Sequence, residues 1–71
     1  MNFQVKLNEA VNEFNQEFGG LTVWRQGDVC YIKTESGLVV GDGDITTQAG
    51  QRMLMKTIKG EIEFHRRRVR T

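Results

Sequence analysis

The segment His65-Arg66-Arg67-Arg68-Val69-Arg70 places four guanidinium groups within five consecutive positions. With Arg52, Lys56 and Lys59, residues 52–71 hold seven basic side chains against the two acids Glu61 and Glu63, a local net charge of +5. Residues 1–51 carry −4, so the overall +1 hides an acidic body with a basic end. Like charges crowded on one terminus repel one another, and a phosphate backbone or an acidic protein surface relieves that repulsion. Consecutive arginines on a helix fan around its circumference, which suits straddling a backbone better than reading base edges. The candidate binding residues are therefore Arg66, Arg67, Arg68 and Arg70, with Lys56 and Lys59 in support as point charges. Two structural explanations stand beside this one. A basic terminus is favoured at the negative end of a helix dipole. Glu9, Glu13 and Glu17 also repeat at four-residue steps, so they can pair with the arginines within the chain or across a dimer.

Other chemistry finds less support in the residue pattern. Asp42-Gly43-Asp44 suggests a calcium loop, but such a loop needs a glycine at its sixth position and an acid at its twelfth. Those positions are Thr47 and Met53, so turn and helix-capping roles explain both aspartates more simply. One histidine and one cysteine cannot form a zinc set, and no metal or other cofactor is expected. A nucleophile needs an activating base, yet the only histidine lies within the arginine run. Glu61 and Glu63 are two apart on a helix and point to different sides, so they form no facing carboxylate pair. The chain reads as a non-enzyme. Trp24 and Tyr31 sit on neighbouring β-type runs as a cross-strand pair, and on an uncovered sheet face they would mark an interface.

These residues must be positioned by a small scaffold. Seventy-one residues make one domain near the lower limit for a single self-supporting core. A core this slender is compatible with a homodimer or a tight partner. The single Cys30 forms no internal disulfide, which favours a reducing compartment. No apolar run is long enough to cross a bilayer and no signal peptide is evident, so the expected location is cytoplasmic.

Leu7, Ala10, Val11, Phe14 and Phe18 recur at helical steps between Val5 and Phe18, and Gly19-Gly20 supplies the helix stop. Three β-type runs follow at 21–25, 29–34 and 38–40, joined by Gln26-Gly27-Asp28 and Glu35-Ser36-Gly37 as hairpin connections. Gly41 to Asp44 reads as a turn, with Asp44 or Thr46 able to cap the next helix. Ala49, Met53, Leu54, Ile58 and Ile62 then mark a second helical stripe, with Met53 inside and Met55 outside. Gly60 is the expected place for a bend or an early end. The expected fold is α+β, a three-stranded antiparallel sheet with two helices on one face in αβββα order. Residues 1–64 form the domain, and 65–71 form a basic extension of the last helix.

That order resembles the double-stranded RNA-binding domain. Leu7-Asn8-Glu9 resembles the start of that family's first helix, and Gly41-Asp42-Gly43 with Ala49 resembles its strand-to-helix junction, across about residues 5–62. The resemblance implies a duplex-RNA-binding fold whose junction lysines grip phosphates. Here the matching positions are Thr46, Thr47 and Gly50, the first hairpin loop is short, and the first helix carries Glu9, Glu13 and Glu17. Carboxylates in place of cations repel a polyanion, so the family's mode of binding is not expected. In its compactness and lack of proline the chain also resembles small accessory proteins of temperate bacteriophages.

The expected function is a non-catalytic module contacting nucleic-acid phosphates without sequence preference through the basic end of its last helix. The alternative is a protein-interaction module, an inhibitor or adaptor, with Trp24, Tyr31, Glu9, Glu13 and Glu17 at its interface. The partner would be a nucleic-acid backbone or an acidic protein surface, and no membrane is involved.

Overall fold

Asn2 opens the first helix, α1 (Phe3–Glu17), by accepting a hydrogen bond from the Gln4 backbone N–H at 2.9 Å. Leu7, Val11 and Phe14 form its buried stripe, and Phe3, Ala10 and Phe18 pack at the margins. Gly19 (φ +80°) and Gly20 (φ +85°) then turn the chain through left-handed backbone that a side chain disfavours. Asn15 secures this corner in both directions. Its amide donates to the Leu21 carbonyl and its oxygen accepts from the Leu21 N–H, each at 2.8 Å. The computed structural model describes the backbone of residues 2–70 and the side chains of residues 2–68.

Three strands follow: β1 (Thr22–Gln26), β2 (Val29–Lys33) and β3 (Val39–Asp44), paired antiparallel in the order β1-β2-β3. Gly27 (φ +62°) and Asp28 form a two-residue hairpin loop with positive φ only at its first position, the pattern of a type II′ turn. Between β2 and β3 the register slips by one residue after Ile32, so Lys33 pairs with Val39 and Ile32 with Gly41. Cys30 and Ile32, both fully buried, point from the sheet into the core. They meet Leu7, Val11 and Phe14 of α1, with Leu21 closing one end. The second helix, α2 (Gln48–Arg70), adds Leu54, Ile58 and Ile62 to the same core. Both helices therefore cover one face of the sheet, and the α+β architecture in αβββα order is that expected from the sequence.

Several expectations are corrected. Gly41 to Asp44 are not a turn but the body of β3. Their glycines serve close packing: a Cβ on Gly43 would lie 2.5 Å from the Gly50 carbonyl oxygen, and one on Gly41 equally close to Thr57 Oγ1. Gly50 itself is buried against the Asp44 backbone, with its Cα where only hydrogen fits. The seam lets α2 lie directly on β3, so glycines that read as punctuation are contact surfaces.

The cap of α2 is Thr47, neither Asp44 nor Thr46. Its Oγ1 accepts from the Gly50 N–H at 3.0 Å and its carbonyl from the Gln51 N–H at 3.0 Å. Asp44 instead accepts from the Thr46 N–H at 2.7 Å and from its hydroxyl, contacts that hold its carboxyl below the usual range, the hydroxyl contributing most. Met53 is exposed and Met55 partly buried, the reverse of expectation, and Ala49 is exposed. The buried stripe runs Gly50, Leu54, Ile58, Ile62; Leu54, Ile58 and Ile62 are as read in the sequence, and only its first turn differs, Gly50 standing where Ala49 and Met53 were expected. Helix α2 continues through Gly60 without ending.

Candidate phosphate-binding face

A helix of 23 residues is about 34 Å long, whereas strands of five or six residues span about 17–20 Å. Helix α2 therefore outreaches the sheet. Among the described side chains, its last inward contacts are made by Ile62 and by His65, whose ring sits against Phe14 (5.2 Å between centroids), Phe18 (5.2 Å) and Phe64 (5.5 Å). His65 Nε2 also lies 3.5 Å from the Glu61 carboxylate one turn back. The histidine is thus turned toward the body rather than toward the arginines that follow it in sequence.

The arginines divide by helical position. Arg66 faces α1 and grips Glu17 with two nitrogens, Nε to Oε2 at 2.9 Å and Nη2 to Oε1 at 3.0 Å. This fork holds the Glu17 carboxyl below its ordinary pKa and raises that of Arg66, to which the nearby Glu13 and Glu63 also contribute. Both partners remain partly exposed, so the pair orients the helix ends more than it stabilises the fold. Arg68 lies over the Phe64 ring, 5.6 Å from its centroid. The side chain of Arg70 lies outside the described residues.

Arg67 points elsewhere, into line with Arg52, Lys56 and Lys59. Steps of four, three and eight residues keep these four on the side of α2 opposite its buried stripe, about 22 Å from end to end. All four are exposed, and none forms an ion pair with another described residue. Glu63 is the one acid among them. The row includes Arg52, which the sequence reading counted in the charge but not in the site. A helical plot centred on Leu54, Ile58 and Ile62 would have revealed it; counting adjacent arginines does not.

Trp24 and Tyr31 are directly opposed across β1 and β2, 5.5 Å between centroids and 33° apart in plane. They lie on the sheet face away from the helices, where Trp24 is 49% exposed and Lys33 Nζ sits 4.4 Å over its ring. Glu9 and Glu13 are exposed along α1. Below the end of α1, a cleft of about 730 Å³ has Phe14, Phe18, Leu21 and His65 as its apolar lining and Glu17 and Glu35 among its polar groups. The two hydroxyls there, Thr34 and Ser36, bond each other at 2.9 Å. Among the described residues, no three His, Cys, Asp or Glu side chains are grouped to hold a metal. No described helix is long and apolar enough to cross a membrane. Cys30 is fully buried, and its burial pushes the thiol pKa up, against a smaller opposing effect of Arg25.

Comparison with known protein families, characterised proteins and solved structures returns no match for this chain.

Proposed function

We propose that this protein is a non-catalytic module that binds nucleic-acid phosphates without sequence preference, through the outer face of α2. The observation that carries the proposal is the row Arg52, Lys56, Lys59 and Arg67: exposed, unpaired among the described residues and interrupted by a single acid. Neutralising phosphates releases condensed counterions, which is the main source of sequence-independent affinity. A row about 22 Å long is sufficient to reach backbones on both sides of a major groove about 12 Å wide. Arg66 supports this face indirectly, because its bond to Glu17 ties the projecting end of α2 to α1.

The resemblance to the double-stranded RNA-binding domain agrees with the order of elements but not with that family's contacts. Thr47 and Gly50, two of the positions matching its lysines, are engaged in capping and close packing, so the cations of this chain lie farther along α2. The lone, buried Cys30 suits a reducing, cytoplasmic setting. A second reading, a small adaptor or inhibitor of the kind temperate phages encode, is favoured by the exposed Trp24 on the open sheet face.

Fluorescence anisotropy with a duplex oligonucleotide at low salt tests the proposal. Lys56→Gln, Lys59→Gln and Arg67→Gln combined are expected to weaken binding by at least about tenfold, leaving only the Arg52 contact, while the far-UV dichroism is retained. Equal binding by wild type and the triple variant, or none by either, contradicts it.

A further inference from the structure

The open face of the sheet carries a nearly square grid of side chains. Strands lie about 4.8 Å apart and alternate residues about 6.7 Å apart. The register sets Trp24, Tyr31 and Asp42 across the middle row. Thr22, Lys33 and Val39 form the row at one end, and Gln26, Val29 and Asp44 the row at the other. Two exposed apolar side chains, Trp24 at 49% and Val39 at 45%, occupy this grid with the cation Lys33 and the carboxylates Asp42 and Asp44, of which Asp42 stands nearer to Lys33.

We infer that this face docks on the same face of a second copy of the chain, with the two-fold axis along the diagonal Gln26–Tyr31–Val39. Reflection of the grid across that diagonal superposes neighbours to within about 2 Å, given its near-square spacing. Each Lys33 then stands over Asp42 of the second copy, and each Trp24 over its Val29. Tyr31 and Val39 each meet their own counterparts on the axis. An axis along the strands sets Lys33 against Lys33, one across the strands sets Asp42 against Asp42, and one along the other diagonal sets Asp44 against Asp44, so charge selects this diagonal, which leaves Asp44 over Thr22. The result is an orthogonal crossing of two sheets, one of the two ways sheets pack face to face. The contact is isologous and closes at two.

Three short strands offer less area than the roughly 800 Å² per partner of a standard interface, so the dimer forms weakly and in a concentration-dependent way. Its formation needs no nucleic acid, since the α2 row lies on the far side of each copy. If the phosphate-binding proposal also holds, the dimer presents two basic rows on opposite outer faces and bridges two nucleic-acid segments.

Sedimentation velocity of the full chain, without nucleic acid, from about 10 μM to about 1 mM tests this. Wild type is expected to pass from monomer to dimer over that range. Lys33→Asp and Asp42→Lys are each expected to weaken association by about tenfold, and the double variant to restore it. Dichroism verifies that each variant folds. A monomer throughout, a dimer indifferent to both single changes, or a double variant as weak as either overturns the inference. A monomer whose Trp24 fluorescence responds to single-stranded DNA would overturn it too, assigning the face to bases.

Discussion

Two glycines in one helix are expected to respond to alanine with opposite signs. At Gly60 nothing lies within 4 Å of an added Cβ and the position is exposed. Gly60→Ala therefore gains the helix preference of alanine, about 1 kcal/mol, or about 4–8 °C in Tm for a domain of this size. At Gly50 the same methyl would fall inside the envelope of the Asp44 carbonyl oxygen and 2.5 Å from the Asp44 nitrogen. Both obstacles are backbone, so α2 must lift from β3 by about an ångström or more, at the expense of the Leu54 and Ile58 packing. Overpacking of this kind costs about 1–3 kcal/mol and reaches the upper end when backbone is the obstacle. Set against the same helix gain of about 1 kcal/mol, the net loss is about 2 kcal/mol. Urea denaturation followed by far-UV dichroism measures both, and with m near 1 kcal/mol/M the Gly50→Ala midpoint falls by about 2 M. Gly50→Ala as stable as wild type would refute the seam between β3 and α2.

Asn15→Ala removes both hydrogen bonds to the Leu21 backbone and is expected to cost about 1–3 kcal/mol by the same urea assay. The Arg66 bond lowers the Glu17 pKa in the folded state, so its stabilisation is complete above the ordinary glutamate value of 4.5 and is lost as pH falls below it. The Tm difference between wild type and Glu17→Gln should accordingly shrink on acidification from pH 6 to pH 3 (about three units) and at high salt. Cys30, buried with a raised thiol pKa, should react with a thiol reagent only as fast as the protein opens, and at once in denaturant.

The element order was legible because each element carries its own period. Leu7, Val11 and Phe14 repeat as a helix, Cys30 and Ile32 alternate as a strand, and Gly19-Gly20 marks a stop that the backbone angles bear out. What misled was glycine in a second role. Gly41, Gly43 and Gly50 have no side chain with which to announce a buried face, so a strand read as a turn and the α2 stripe, right at Leu54, Ile58 and Ile62, was begun at Ala49 and Met53 in place of Gly50. That error carried Met53 inward and Met55 outward on paper. The Asn15 clamp joins residues six apart through a side chain common in solvent, and no local pattern distinguishes it.

The site was legible as charge but not as geometry. Composition concentrated the cations in the last twenty residues, and the suspicion that α1 glutamates pair with them holds for Glu17 and Arg66. Helical phase then separates neighbours that the sequence groups together. Arg66 turns to α1 while Arg67 joins a row reaching back to Arg52, and His65 packs on phenylalanines.

The salt dependence of duplex binding tests phosphate contact by the outer face of α2 most directly. Four cations give a slope of log K against log salt near −3.6, or about a hundredfold loss between 50 and 200 mM. The combined Lys56, Lys59 and Arg67 variant should fall to about −0.9, and Arg66→Gln should keep the wild-type slope. A slope unchanged in the triple variant, or reduced as much by Arg66→Gln, would contradict the assignment.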